Sequence, residues 1–213
     1  MRKVDKNTQD IDFVITWVDG NDLEWKREKA ARLGHTDMDI SVNTDDRKER
    51  YRDWDNLQYW FRAVEKYTPW VRKIHFVTWG HLPSWLNVNH PKLHIVNHKD
   101  YIPEEYLPTF NSHTIEMNLH RIKGLSEQFV YFNDDMFINK PMKPRDFFVH
   151  GKPCDTFAMD CIYFGKGSAG PYNGNDMSVI NTHFNKKEML KKNFTKWFRL
   201  RYGIKYLYRT MVL

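Results

Sequence analysis

Two adjacent carboxylates stand at the end of an apolar run in this sequence. In VYFNDDMFI, residues 130–138, the polar triplet Asn133, Asp134 and Asp135 directly follows β-prone residues. Adjacent carboxylates repel each other, which raises the pKa of one of them unless a cation or hydrogen-bond donors lie between them. Mg²⁺ or Mn²⁺ suits such a pair, because it takes one or two carboxylates and completes its shell with phosphate oxygens and water. Asp134 and Asp135 are therefore candidate metal ligands, and the alternative is an Asx-type turn that only ends the strand.

A second set of ionisable residues lies upstream in NSHTIEMNLHRIKG, residues 111–124. At helical spacing the apolar residues share one face, and His113, Glu116 and His120 lie roughly opposite. A shared zinc ion does not suit the two histidines, which would stand about 10 Å apart along a helix axis. A histidine of near-neutral pKa can instead take a proton from a sugar hydroxyl or stabilise a leaving phosphate, and Arg121 can pair with phosphate. Ordinary surface or core histidines are the alternative.

A third polar group lies in the Gly-rich stretch GPYNGNDMSVINTHF, residues 170–184. It holds Asn173, Asn175, Asp176 and His183. We interpret this stretch as a loop that can bring amides and a carboxylate to a polar ligand, although most loops of this composition are only turns.

The elements that must position these residues alternate between strand and helix. Apolar β-rich runs predict four strands, and helical periodicity predicts helices between them. This order favours an α/β sandwich with a mainly parallel central sheet. The predicted strands cover residues 11–18, 73–79, 92–98 and 128–133, and the predicted helices residues 23–33, 55–67 and 111–124.

The strand ends are where a parallel sheet places its ligands. Such ligands bind in the crevice beyond the carboxyl ends of the strands. Asp19 follows the first predicted strand and the acidic pair follows the fourth, so both carboxylate groups fall at that edge. Asp22 can cap the helix that comes next, and Asn111 or Ser112 can cap the third. The charged segment 35–53 is a candidate lid over this edge.

Composition and charge limit the classes of protein. With 213 residues, 41% apolar and 15% aromatic, the chain can bury a core as one domain or as one domain with a small extension. Residues 1–150 hold 22 Lys and Arg against 23 Asp and Glu, whereas residues 151–213 hold 11 against 4. Because the basic excess is confined to the tail and no base-reading motif is present, we expect no nucleic-acid partner.

The basic tail interleaves Lys and Arg with Trp, Phe and Tyr. That pattern suits an anionic surface such as lipid headgroups or a polyanionic glycan, and a solvated helix whose aromatic residues pack on the core is the alternative. We therefore predict an N-terminal tail at residues 1–10, a catalytic α/β domain at residues 11–183, and a basic aromatic helical extension at residues 184–213.

Targeting signals are weak in this sequence. No apolar stretch approaches the roughly 20 residues of a membrane span, and MRKVDKNTQD lacks the apolar core of a signal peptide. Two cysteines, Cys154 and Cys161, are too few for a disulfide framework. We expect a cytoplasmic protein that rests peripherally on the inner face of a bacterial membrane.

Long segments of the chain resemble a known family. DIDFVITWVDGND, RYRDWDNLQYWFRAVEKYTPWVRKIHFVTWGHLPSWL and LPTFNSHTIEMNLHRIKGLSEQFVYFNDDMFI are similar to the first two conserved regions of Stealth proteins, and NDMSVINTHF resembles the start of the third. The family contains bacterial capsular-polysaccharide sugar-phosphate transferases and the catalytic subunit of the lysosomal-enzyme N-acetylglucosamine-1-phosphotransferase. The resemblance implies a glycosyltransferase-A-like nucleotide fold, a divalent cation, and transfer of a hexose-1-phosphate from a nucleotide-sugar to a glycan hydroxyl.

The resemblance also implies roles for individual residues. The segment after the first strand would border the nucleotide-sugar, with Asp19 at the reacting groups. The acidic pair would hold Mg²⁺ or Mn²⁺ and the diphosphate. The upstream helix would line the reacting phosphate, with one histidine as the base. The implied catalytic residues are His113, Glu116, His120, Arg121 and Asp19; the donor-binding residues are Gly20, Asn21, Asp22, Asn133 and Asn175; and the metal ligands are Asp134 and Asp135.

Two alternatives to sugar-phosphate transfer stay open. A glycosyltransferase that uses the same donor would attack the anomeric carbon and release UDP rather than UMP. A non-catalytic module would bind a nucleotide-sugar or a glycan without changing it. Family members usually continue through a fourth conserved region, whereas this sequence ends at YRTMVL. We therefore expect a truncated C-terminal extension.

Overall fold

The computed structural model describes residues 10–33, 55–154, 170–198 and 203–204. The chain forms two compact units, residues 1–154 and residues 155–213. The predicted lid at residues 35–53 and residues 1–9 of the predicted N-terminal tail lie outside the described residues. The predicted functional division at residue 183 stays a prediction.

The first unit is built around a four-stranded parallel sheet with the strand order β3-β2-β1-β4. Each of the four strands coincides with one of the apolar runs from which a strand is predicted in the sequence. The predicted α/β class with a mainly parallel sheet is therefore confirmed, and the glycosyltransferase-A-like topology stays a prediction. The strands are β1 (Ile11–Trp17), β2 (Ile74–Thr78), β3 (Leu93–Asn97) and β4 (Gln128–Phe132).

Helices and short turns connect these strands. Asp22 caps the first helix as predicted, because its Oδ1 accepts a hydrogen bond of 2.7 Å from the amide of Trp25. The helices are α1 (Leu23–Leu33), α2 (Leu57–Tyr67), α3 (Ser112–Met117) and α4 (Pro144–Phe147). Single 3-10 turns span His98–Asp100, Glu104–Tyr106 and Leu119–Arg121, and β5 (Phe148–Val149) pairs antiparallel with β6 (Lys152–Pro153).

Both faces of the sheet are covered by apolar layers. Successive strand residues point to opposite faces, so Phe13 and Ile15 pack on one side and Val14 on the other. Trp60 of α2 is fully buried on the first side, and Leu119 is buried on the second.

The predicted helix over residues 111–124 is wrong in its second half. Asn111 caps it as predicted by accepting the amide of His113 at 2.9 Å, but the α-helix ends at Met117 and continues only as a 3-10 turn. The side chain of Asn118 donates to the carbonyl of Thr114 at 2.9 Å, a local bond of the kind that competes with regular helix.

A buried ion pair lies at the amino end of the sheet. The Asp12 side chain is fully buried and accepts hydrogen bonds from Arg72, from His75 at 3.0 Å and from the amide of Ser126 at 2.8 Å. Burial alone would raise the pKa of Asp12, but these donors outweigh it and lower the pKa to about 2. The network therefore holds Asp12 ionised and ties β1 to the loop before β4.

The second unit is helical where the structure describes it. The predicted loop at residues 170–184 is wrong, because most of it forms α5 (Gly170–His183). Pro171 suits the first turn of a helix, where its missing N–H costs no hydrogen bond. Helices α6 (Lys186–Lys192) and α7 (Phe194–Trp197) lie in the predicted basic extension. Across the described ranges, none of the helices is both long enough and apolar enough to span a bilayer.

Candidate active site

The strand order creates a switch point beside β1. The chain passes from β1 to β2 and β3 on one side and returns with β4 on the other side of β1. In parallel sheets, ligands bind beyond the carboxyl ends of the strands at such a point. Because Ile15 pairs with Phe132, the segments after β1 and β4 leave the sheet at the same edge. We call residues 19–22 together with residues 133–135 the strand-end site.

The first half of the strand-end site is a tight turn. Oδ1 of Asp19 accepts the amide of Asn21 at 2.8 Å, and the carbonyl of Asp19 accepts the amide of Asp22 at 3.1 Å. An Asp side chain that bonds the amide two residues ahead forms an Asx turn. Gly20 is buried and Asn21 is exposed, so the turn offers Asn21 to solvent.

Tyr131 links the second half of the strand-end site, residues 133–135, to β1 and to α3. Its hydroxyl lies 3.2 Å from Oγ1 of Thr16 on β1 and donates to Oδ1 of Asn133 at 2.7 Å. Burial, with a smaller contribution from the charges of Glu116 and Asp134, raises the pKa of Tyr131 to about 12, although the hydrogen bond with Thr16 acts in the opposite direction. The hydroxyl therefore stays protonated and brings together residues from β1, β4 and α3.

The two histidines of the upstream segment are both exposed. Nδ1 of His120 lies 2.9 Å from the carbonyl oxygen of Met117. Because a carbonyl oxygen only accepts, Nδ1 carries the proton and Nε2 presents a lone pair in the neutral ring. His113 sits in the first turn of α3 and Arg121 is exposed at the end of the 3-10 turn. In the neutral ring, Nε2 is thus the nitrogen of His120 that can accept a proton.

Asp134 and Asp135 follow the end of β4, as the sequence predicts, and both side chains are exposed. Among the described residues, no group of three His, Cys, Asp or Glu side chains could hold a metal ion by itself. Mg²⁺ commonly takes one or two carboxylates and completes its shell with water and substrate phosphates. The adjacent pair fits that donor set, so a divalent ion shared with a diphosphate is compatible with this end of the site.

Asn175 is exposed on α5 in the second unit. Its predicted role in donor binding stays a prediction.

His81 is a residue of this edge that sequence reasoning missed. It follows β2, and its Nε2 accepts the backbone amide of Asp19 at 2.7 Å. Burial lowers the pKa of His81, against the raising effect of the nearby Asp22 and Asp19 carboxylates. The strand-end rule, applied to β2 as well as to β1 and β4, would have found it. Tyr131 gave no such signal, because an aromatic residue inside a strand is typical of a core.

An apolar cavity of the first unit lies away from this site. It has a volume of about 400 Å³ and is lined by α2 and the connection between β2 and β3, including Phe61, Trp85 and Leu86. Ile74 and Leu93, the first residues of their strands, also line it. The cavity therefore lies toward the amino ends of the strands, away from the strand-end site.

The fold and the strand-end site define an α/β protein with exposed polar residues at the switch point of a parallel sheet. Residues 9–37 match Stealth protein CR1, conserved region 1, and residues 50–155 match Stealth protein CR2, conserved region 2. The chain belongs to the Stealth family. Both halves of the strand-end site and the upstream histidines lie within these matched regions.

Several named relatives align with nearly the whole chain. A capsular polysaccharide phosphotransferase WcwK of Streptococcus pneumoniae is 48% identical over 208 residues, which cover 98% of this chain and 61% of the relative. A receptor polysaccharide phosphotransferase WefC of Streptococcus gordonii is 45% identical, over 95% of this chain and 60% of the relative. A capsular polysaccharide phosphotransferase CpsJ of Streptococcus thermophilus is 46% identical, over 91% of this chain and 80% of the relative. The chain thus spans about three fifths of the length of the first two relatives.

Proposed function

We propose that this chain transfers a hexose-1-phosphate from a nucleotide-sugar to a glycan hydroxyl in the synthesis of a capsular or cell-surface polysaccharide. The donor in this proposal is a UDP-sugar such as a UDP-N-acetylhexosamine. The observation that carries the proposal is the gathering of Glu116, Asn133 and Asp134 around Tyr131 at the carboxyl edge of the sheet. The names of the Streptococcus relatives support the class of reaction.

The proposed reaction forms one P–O bond and breaks another. The acceptor oxygen attacks the β-phosphorus of the donor, and the bond from that phosphorus to the bridging oxygen breaks. The electron pair leaves with the nucleoside monophosphate, and a sugar phosphodiester remains. The proton of the acceptor hydroxyl goes to a base. Catalysis of this kind depends on in-line positioning and on charge that stabilises the phosphoryl oxygens.

The described residues divide these tasks among them. His120 is the base in this proposal, because Nε2 is the unprotonated nitrogen of its neutral ring, and His113 on α3 is the second candidate. Arg121 pairs with the phosphoryl oxygens as a fixed positive charge. The turn at residues 19–22 borders the donor.

A divalent cation completes the proposed site. Asp134 and Asp135 are the residues that would hold Mg²⁺ or Mn²⁺ together with the diphosphate. When bound, such an ion supplies positive charge that stabilises the leaving nucleotide phosphate. Tyr131 keeps Asn133 oriented beside this pair through its hydroxyl.

The location of the reaction is a further part of the proposal. Helix α6 carries Lys186, Lys187, Lys191 and Lys192, and all four residues are exposed. A cluster of exposed lysines is attracted to anionic headgroups and to anionic glycans. We place the enzyme in the cytoplasm, in peripheral contact with the inner face of the membrane where surface polysaccharides are assembled.

The identity of the released nucleotide tests the proposed reaction. The purified chain is incubated with Mg²⁺ or Mn²⁺, a panel of UDP-sugars and short glycan acceptors, and the nucleotide is identified by mass spectrometry. Release of UMP supports sugar-phosphate transfer. Release of UDP would show attack at the anomeric carbon, and an unchanged donor that nevertheless binds would show a binding module; both results contradict the proposal.

A further inference from the structure

His81 contacts both ends of the turn that follows β1. Its Nε2 accepts the backbone amide of Asp19 at 2.7 Å, and its Nδ1 lies 3.9 Å from Oδ2 of Asp22. Asp22 uses its other oxygen to accept the amide of Trp25 and so caps α1. One imidazole ring therefore spans the turn from the residue where it begins to the residue where the helix begins.

The contact with Asp19 fixes the protonation state of the ring. A backbone N–H only donates, so Nε2 of His81 must present a lone pair. The proton of the neutral ring is then on Nδ1, which is buried and makes no hydrogen bond within the part of the chain that the structure describes. At 3.9 Å the carboxylate of Asp22 is beyond hydrogen-bond length. A protonated ring would place two N–H groups against each other at Asp19.

The backbone that carries His81 is held in place by β2 and β3. Oγ1 of Thr78 donates to the carbonyl of His81 at 2.6 Å and accepts the amide of Gly80 at 3.1 Å. Gly80 has a φ of 148°, and a Cβ there would lie 3.1 Å from the side-chain nitrogen of Asn97. That nitrogen donates to the carbonyl of Trp79 at 2.8 Å. The ring is therefore presented to Asp19 from a rigid support.

Burial and two carboxylates act on the charge of His81. Burial lowers its pKa, and the carboxylates of Asp22 and Asp19 raise it by a smaller amount, so the pKa lies below the ordinary value of 6.5. Burial and the nearby His81 lower the pKa of His98 to about 4. His81 is thus neutral at neutral pH, and it gains its proton only as the pH falls through a pKa that lies below the ordinary value.

We propose that His81 is a positioning residue for the nucleotide-sugar: in its neutral form, Nε2 holds the amide of Asp19 and fixes the turn at residues 19–22 in the shape that binds the donor. Protonation at Nε2 breaks this hydrogen bond and releases the turn. This inference rests on the proposed function, because it takes the turn as the donor-binding segment. It predicts in addition that donor binding weakens in mild acid because His81 is protonated, and not because a reacting group is.

The structural half of the proposal is tested by amide hydrogen exchange, which needs no substrate. Protection of the Asp19 amide is measured between pH 7 and pH 5 by NMR, with the amide of Phe76 in β2 as a reference for global unfolding. In the wild-type protein, Asp19 protection should fall about tenfold for each pH unit below the folded-state pKa, because the competent fraction falls in that proportion. Protection that is independent of pH, or that falls equally at Phe76, would overturn the proposal.

The matched variant is His81→Gln. The side-chain oxygen of Gln can occupy the place of Nε2 and accept the Asp19 amide, but it does not titrate in this range. Asp19 protection in this variant should therefore stay near its neutral value from pH 7 to pH 5. His90→Gln is the control, since His90 is exposed near the start of β3 and should leave the wild-type pH dependence unchanged.

The functional half is tested by the pH profile of donor binding. The dissociation constant of UDP-N-acetylglucosamine, measured by calorimetry with Mg²⁺, should rise about tenfold for each pH unit below the His81 pKa in the wild-type protein and stay nearly flat in His81→Gln. Equal pH profiles for the two proteins would overturn the role in donor binding. If neither protein binds the donor at pH 7, the proposed function fails, whereas the exchange data still decide whether His81 controls the turn.

Discussion

The hydroxyl of Tyr131 donates a hydrogen bond of 2.7 Å to the side-chain oxygen of Asn133, two residues further along the chain. The two residues lie on either side of the point where β4 ends, and the same hydroxyl reaches Thr16 on β1 and Glu116 on α3. The hydroxyl of Tyr131, a residue within β4, thereby orients the polar side chain of Asn133 just beyond the end of that strand. Removing one hydroxyl should loosen the strand-end site without removing any residue that contacts substrate.

Tyr131→Phe should lower kcat by about tenfold or more, in the range seen when a supporting hydrogen bond of a ligand site is lost. The free energy of unfolding should fall by about 1 kcal/mol, as for loss of one hydrogen bond. The measurements are steady-state kinetics and urea unfolding. Tyr106→Phe is the matched control, because Tyr106 is 52% exposed on a 3-10 turn. Wild-type kcat in Tyr131→Phe would remove the hydroxyl from the site.

Asp135→Asn should lower metal-dependent turnover by orders of magnitude and leave the fold intact, because one proposed ligand of the divalent ion loses its charge. Asp134→Asn should behave in the same way. The test is turnover as a function of Mg²⁺ or Mn²⁺ concentration, with the circular dichroism spectrum as a check on folding. Asp10→Asn, an exposed residue before β1, is the matched control and should keep wild-type turnover. Wild-type metal dependence in Asp135→Asn would exclude Asp135 as a ligand.

His120→Asn separates the two nitrogens of the proposed base. The Asn side chain can keep the hydrogen bond to the carbonyl of Met117 that Nδ1 makes, but it has no group in the place of Nε2. We expect kcat to fall by about 10²–10⁴-fold, the usual contribution of a general base. The dissociation constant of the donor, measured by calorimetry, should stay within about twofold of the wild-type value, because catalytic proton transfer contributes nothing to ground-state binding.

His113→Ala tests the second candidate for the base. It too should lower turnover with little effect on donor binding, as expected for a group that acts on the reacting atoms. If the affinity for the donor collapses instead, His113 is a binding residue. His90→Asn is the control for both histidines, and a wild-type rate in His120→Asn would assign the base to another residue.

Asp12 makes stability depend on pH in strong acid. Its pKa is about 2 in the folded protein and 3.8 as an ordinary value, so the folded state favours the ionised form. This contribution is complete above about pH 4 and is lost as the pH falls through about 2, and it amounts to roughly 2 kcal/mol. Urea unfolding at pH 4 and pH 2 should show this loss in the wild-type protein and a smaller one in Asp12→Asn. Equal losses in both proteins would contradict the assignment.

The sheet could be predicted because its two central strands, β1 and β2, are buried on both faces. Such strands are continuous apolar runs, and Ile11–Trp17 and Ile74–Thr78 can be located from composition alone. The place of the acidic pair followed from one general rule about parallel sheets. The strand pattern predicts where these residues lie, but not what they do. Their roles were predicted from the resemblance to Stealth proteins.

Other features depend on contacts that a sequence does not display. The α-helix ends at Met117 next to a side-chain bond that Asn118 makes to the carbonyl of Thr114, and the helical spacing of the sequence does not show this bond. The link from His81 to Asp19 joins residues that are distant in sequence and meet only because β1 and β2 are neighbours. Helix α5 was not predicted, because its Gly and Asn residues are typical of turns. The structure nevertheless forms a helix from Gly170 to His183.

The fate of the β-phosphorus tests the central claim most directly. A UDP-sugar labelled with ³²P at the β-phosphate is incubated with the chain, a glycan acceptor and Mg²⁺, and the label is followed after separation of glycan from nucleotide. Sugar-phosphate transfer predicts that the label moves into the glycan and resists removal by phosphatase, because it lies in a phosphodiester. Label that stays with the nucleotide while unlabelled sugar enters the glycan would contradict the proposed reaction.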